Sequence, residues 1–111
     1  MTDSGDLNKN RARVLKALAH PTRLFLVEKL NEGECCVCKL VEHINADFST
    51  VSRHLAVLKN AGILEDEKRG QLVFYRLRCP CVLKFIKCIE EAVRTLKPKR
   101  KKQAGKVAGE E

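Results

Sequence analysis

Three cysteines fall within four positions of the segment "GECCVCKL", as Cys35, Cys36 and Cys38. A further pair, Cys79 and Cys81, brackets Pro80, and Cys88 follows. Thiolates are soft donors and select soft or thiophilic ions; trivalent arsenic and antimony, which favour three thiolates and a lone pair, suit a compact three-sulfur site. The same residues admit other chemistries. Cys35 to Cys38 contains a C-x-x-C, the spacing of a dithiol oxidoreductase, but that reading needs strands alternating with helices around the motif, and this chain has none. Cys35 or Cys36 with Cys38, Cys79 and Cys81 could instead close a four-sulfur structural zinc site in a DNA-binding or interaction module. With no Ser/His/Asp arrangement, Gly-rich phosphate loop or paired-carboxylate site, catalysis is not expected.

Composition narrows the setting. Six cysteines in 111 residues fall short of the density of a disulfide scaffold, and their clustering favours metal or redox chemistry in a reducing compartment. The chain has no apolar run near membrane-spanning length, and "MTDSGDLNKNRAR" offers no apolar leader, so a cytoplasmic protein with no membrane partner is expected. Net charge is +8, of which the tail "KPKRKKQAGKVAGEE" supplies half. The rest is basic as well, which points to a polyanion, either nucleic acid or an anionic membrane surface.

The elements that must position these residues follow from periodicity. Residues 8–18 and the segment "AHPTRLFLVEKL" read as helices, the second with Pro21 in its first turn. A short third helix is expected over roughly residues 36–44. After the turn "NAD", where Asp47 or Ser49 can cap, "FSTVSRHLAVLKNAG" forms a helix ending at Gly62. The period then changes to alternation in "ILEDEKRGQLVFYRL", a hairpin turning at Gly70. A last helix, "CPCVLKFIKCIEEAVRTL", carries an apolar seam at 82, 86, 89, 93 and 96 that suits either a dimer contact or a buried helix. The expected fold is mainly α with a small β-hairpin: a winged helix-turn-helix domain over residues 8–96, followed by a basic disordered tail over 97–111.

On the helix over 48–61, Val51, Leu55 and Leu58 define the buried stripe. Ser49, Arg53 and Ala56 lie opposite, flanked by Thr50 and Ser52. That exposed face is small, hydroxylic and cationic, suited to a major groove. His54 sits on the margin of the stripe, where packing and DNA contact are equally open. At the hairpin tip, Lys68, Arg69 and Gln71 can reach phosphates or a minor groove.

Four motifs, "LAHPTRL", "ECCVCKL", "STVSRHLAVLKNAGIL" and "RGQLVFYRL", occur in this order and spacing. With them the chain resembles the ArsR/SmtB family of metalloregulatory repressors across residues 8–96, and within it the arsenic-responsive type, whose third-helix motif reads E-L-C-V-C-D-L. The resemblance implies a homodimeric winged-helix repressor that binds palindromic double-stranded operator DNA without the ion and releases it with the ion. It implies trivalent arsenic or antimony as inducer, no organic cofactor, and Cys36 and Cys38 as metal ligands. It does not carry over the third ligand, because the position that holds a third Cys in the arsenic motif is Val41 here. Cys35, at a position usually Leu, is the nearest substitute; Cys79, Cys81 and Cys88 are rivals, and Cys35 as a small apolar core residue stays open. The Asp and His ligands of zinc-sensing relatives are absent from the last helix, where Glu90 and Glu91 make a weak hard-metal site. On a regular helix Cys36 and Cys38 would lie about 200° apart, so joint chelation is expected to need a distorted or melted first turn.

Overall fold

The computed structural model describes residues 4–96. Helix α1 (Ser4–Leu18) leads into α2 (Pro21–Leu30), a two-residue strand β1 (Cys35–Cys36), α3 (Val37–Glu42) and α4 (Phe48–Asn60). Strands β2 (Leu64–Arg69) and β3 (Leu72–Leu77) and helix α5 (Cys81–Thr95) complete the chain. The sheet is antiparallel in the order β1-β3-β2. This is a winged helix-turn-helix: α3 and α4 are the paired helices and β2–β3 the wing.

Three features differ from the expectations. Helix α1 starts four residues earlier than residue 8, with Asp6 in its first turn, where a carboxylate favours the positive end of the helix. The hairpin gains a third strand, β1, which is too short to show any alternation. Helix α3 begins at Val37 rather than at residue 36, because Cys36 is extended (φ −79°, ψ 156°) and serves as its N-cap. The basic tail from Lys97 lies outside the described residues.

One hydrophobic core joins the helices to the wing. Leu26 and Val27 of α2, Leu40 of α3, and Val51, Leu55 and Leu58 of α4 are fully buried, with Ile63 and Leu64 closing the wing side. The expected stripe on α4 is therefore the buried one. Asp47 is its cap, accepting from the Thr50 backbone N–H at 2.8 Å and from Ser49 Oγ at 3.3 Å. Those bonds hold the Asp47 carboxyl below the usual carboxylate range, the Thr50 contribution being the largest. Gly70, with φ 64°, supplies the left-handed residue the wing turn requires.

A polar clamp fixes α4 against the α1–α2 corner. Arg23 Nε donates to His54 Nδ1 at 3.2 Å, and its Nη1 donates to the Lys16 and Ala17 carbonyls at 3.3 and 3.2 Å. The His54 ring lies 4.4 Å, centroid to centroid, from that of His20, whose Nδ1 caps α2 by accepting from the Thr22 N–H at 3.1 Å. As an acceptor at Nδ1, His54 must be neutral. Burial, then the neighbouring His20, Arg23 and Arg53, push its pKa below the ordinary 6.5.

Two outcomes follow from this packing. Leu55→Ala should cost about 2–5 kcal/mol in denaturant unfolding, because a fully buried leucine leaves a cavity between α3 and α4. For His54, the unfolded chain binds the proton more readily than the folded one, so the clamp contributes fully above pH 6.5 and is lost as pH falls below it. The thermal midpoint of the wild type should drop as pH falls from about 7 to about 5.5, and His54→Gln should flatten that dependence. An identical pH slope in both proteins would show that His54 titrates alike in both states.

Candidate functional site

Cys36 and Cys38 meet at the junction of strand and helix. Cys36 closes β1 and precedes α3, while Cys38 lies in its first turn, so the 200° separation of a continuous helix does not apply. Their Cα atoms are 5.4 Å apart, and the two sulfurs are joined as a disulfide. No melting of α3 is needed to bring them together, which corrects the expectation of a distorted first turn. Cys36 is buried and Cys38 exposed, so the pair spans the boundary between core and solvent.

The other thiols are placed differently. Cys35 neighbours Cys36 on a strand, where successive side chains point to opposite faces, and it packs half-buried against the core. Cys79 also packs against the core, whereas Cys81 and Cys88 are exposed. A helix start by itself lowers the pKa of a nearby thiol. For Cys79 the direction is the opposite: burial first, then its hydrogen bond with Cys81, push the thiol up. Among the described residues, no three His, Cys, Asp or Glu side chains are gathered to hold an ion within one protomer. The four-sulfur set from Cys35 or Cys36 with Cys38, Cys79 and Cys81 is therefore not assembled, and neither is a set of Cys35, Cys36 and Cys38.

The thiol segment is fastened to the wing. β1 pairs with β3 through Cys35 opposite Tyr75 and Cys36 opposite Phe74. Just before it, Glu34 accepts from Arg69 Nη1 at 2.7 Å and Nη2 at 3.0 Å, a bidentate pair. Arg69 also donates to Glu67 at 3.0 Å, and its guanidinium sits 4.5 Å from the Phe74 ring centroid. Arg76 joins in, donating to Glu65 at 2.9 Å and Glu67 at 3.2 Å. Arg69, more than any other group, holds the Glu34 and Glu67 carboxyls below the usual range. Glu34 and Arg76 were missed in the sequence: Glu34 lies far upstream of Arg69, beyond any local spacing, whereas the Arg76–Glu65 pair stands directly opposite across the hairpin and follows from a turn at Gly70.

The residues expected to read DNA divide accordingly. Ser49, Thr50, Ser52 and Arg53 lie on the outward side of α4, with Ser49 and Arg53 exposed and Thr50 and Ser52 half-buried. His54 belongs to the clamp with Arg23 and His20. At the wing tip Lys68 and Gln71 are exposed, whereas Arg69 is engaged by two carboxylates. Among the described residues, no helix is long and apolar enough to cross a membrane.

Comparison with known proteins agrees with this geometry. The family profile described as "Bacterial regulatory protein, arsR family" matches residues 20–66, the span from the His20 cap to β2. The chain is 42% identical over 83 residues to the arsenical resistance operon repressor of Escherichia coli, an alignment covering 74% of this chain and 71% of that one. It is 45% identical over 67 residues to a cadmium resistance regulatory protein CadC homolog of Staphylococcus aureus, covering 60% and 55%. Its fold is similar, with TM-score 0.75 and 25% identity, to a homodimeric winged helix-turn-helix DNA-binding domain of Mycobacterium bovis, with coverage of 93% and 96%. With a thiol pair at the root of the helix-turn-helix and a 42% match to a repressor covering 71% of that protein, the chain belongs to the ArsR family of DNA-binding transcriptional regulators.

Proposed function

We propose that this regulator is a dimeric repressor that releases operator DNA when Cys36 and Cys38, as thiolates, bind trivalent arsenic or antimony. The observation that carries the reading is the position of that pair at the root of both α3 and the wing. Soft donors at close range suit thiophilic ions, and no hard-metal cluster competes for that role among the described residues. The likeness to an arsenical repressor supports the metalloid; the likeness to a cadmium regulator makes cadmium the competing inducer. The operator is read by Ser49, Thr50, Ser52 and Arg53, with Lys68 and Gln71 on the flanking backbone, and Arg69 joins them only by giving up its carboxylates. Dimerisation falls to α5, where Phe85, Ile89, Val93 and Leu96 remain exposed along one side, as do Leu7 and Leu15 of α1. The M. bovis domain with this fold is a homodimer.

Cys35 is the proposed third donor. It points to the other side of β1, so it joins Cys36 and Cys38 only when β1 leaves β3. Ligation would then free the wing from the thiol segment, and ion and operator become opposing ligands of one equilibrium. Cys79, Cys81 and Cys88, from either protomer, are the alternative donors.

Arg53→Ala should weaken the operator complex about 5- to 150-fold, the range of a bidentate base contact, with the circular dichroism unchanged. Unaltered affinity in a gel-shift titration would take Arg53 off the reading face. Arsenite or antimonite should release the operator from the reduced wild type but not from Cys36→Ser or Cys38→Ser, both of which should still bind DNA. Release by cadmium alone would replace the metalloid as inducer. Cys35→Ser should lose most of the response, whereas Ser at 79, 81 and 88 together should keep it; the reverse pattern would move the third sulfur to α5 or the residues leading into it.

A further inference from the structure

Helix α1 has two faces. At about 100° per residue, Lys9, Ala12, Arg13 and Lys16 share one sector, opposite Leu7, Val14 and Leu18. The cationic sector does not simply face solvent. With the C-terminal end of α4 it walls a cleft of about 740 Å³, to which α4 contributes Val57 and Asn60 and its C-cap Ala61. Among the described residues no acidic side chain lines this cleft. Among the described residues Lys9, Arg13 and Lys16 form no salt bridge, in contrast to Arg69 and Arg76 of the wing. The fourth cation there, Arg23, is already bonded to the Lys16 and Ala17 carbonyls and to His54. Three positive charges therefore line one wall of the cleft.

The reading face of α4 runs into this cleft. Ser49, Arg53, Ala56 and Asn60 recur at the spacing of a single helical stripe, directed away from buried Val51, Leu55 and Leu58. Asn60, the last of them, is also a wall of the cleft. A duplex lying along the stripe, with its bases against Ser49 and Arg53, carries a phosphate strand past Asn60 and over α1. Lys9 to Lys16 covers about 10 Å of helix, and a DNA strand presents a phosphate about every 3.4 Å of duplex axis, so the cationic sector can face about three phosphates.

We propose that Lys9, Arg13 and Lys16 form a phosphate clamp for the operator backbone, a sequence-independent contact lying at the opposite end of α4 from the bases it reads. The contact rests on the DNA binding of the family and is independent of which ion induces release. It positions the duplex and carries no base information, since phosphates are alike in every sequence.

The test uses the full-length chain with single Gln substitutions at positions 9, 13 and 16 and the triple variant. Affinity is measured against an operator duplex obtained by in vitro selection and an unrelated duplex of equal length, over a range of salt. Because both protomers of the proposed dimer carry the change, each single substitution removes two phosphate contacts and should lower the slope of log affinity against log salt by about 1.8, and the triple by about 5.4. Both duplexes should be weakened by a similar factor at each salt. Arg53→Ala is the reference, expected to weaken the operator far more than the unrelated duplex; if it does not, the reading face is wrong while the clamp still stands or falls on its own slopes. Circular dichroism verifies that the triple variant is folded, and Lys9→Arg, Arg13→Lys and Lys16→Arg in one chain should restore the slope if the triple Gln variant is not. Wild-type slope and affinity in a folded triple variant would overturn the clamp. Saturable binding of inorganic phosphate, lost in that variant without change in the DNA slope, would overturn it in favour of a free-anion site.

Discussion

The pairing of two residues with β3 is the constraint on which this structure turns. Cys35 and Cys36 add to the sheet opposite Tyr75 and Phe74, and the very next residue begins α3. A two-residue strand has little intrinsic stability, so its surroundings must hold it. Glu34 supplies one anchor through Arg69, Phe74 stacks under that same guanidinium, and Val37 and Leu40 bury the other side in the core. The thiol segment is thereby tied at once to the wing and to the helix that supports α4. Any ligand that repositions Cys36 relative to Cys38 acts on both.

The recognition helix is held by a different set of forces. Its buried stripe packs on α2 and α3, and its start is set by Asp47, whose carboxylate takes the Thr50 N–H. On its flank, neutral His54 accepts from Arg23, and Arg23 also donates to the Lys16 and Ala17 carbonyls at the end of α1, the first of which takes the Ala19 N–H as well. One guanidinium thus links the C-terminal end of α1 to the middle of α4. This arrangement also leaves Lys9, Arg13 and Lys16 outside the polar network, on the side where Asn60 ends the outward stripe.

Much of this was legible in the sequence because it is local. The apolar period of Val51, Leu55 and Leu58, the cap at Asp47, the alternation around Gly70 and the break before Pro80 each depend on neighbours within one or two turns. What was not legible depends on distance along the chain. β1 is too short for any period, so Cys36 was read as helical when it is an extended N-cap. Arg69 looked like a free cation at a hairpin tip, yet its main partner, Glu34, lies far upstream. Cys79 stands at a helix start, where the local field alone would lower its pKa, and only the fold shows that burial outweighs that field.

The strength of the link between thiols and wing suits a switch. Backbone hydrogen bonds contribute about 0.5–1.5 kcal/mol each in net terms, and β1 is joined to β3 over only two residue pairs. The Glu34, Glu67, Arg69 and Arg76 groups are exposed to solvent, where ion pairs are screened and individually weak. The joint is therefore worth a few kcal/mol at most, comparable to the 1–3 kcal/mol typical of coupling between allosteric sites. It orders β1 against the wing. The proposed ligation by Cys35, Cys36 and Cys38 would have to overcome no more than this, while the core around Leu40, Val51 and Leu55 stays intact. A joint of this kind can yield without unfolding the domain, because the residues that break contact on the sheet differ from those that hold α3 to α4.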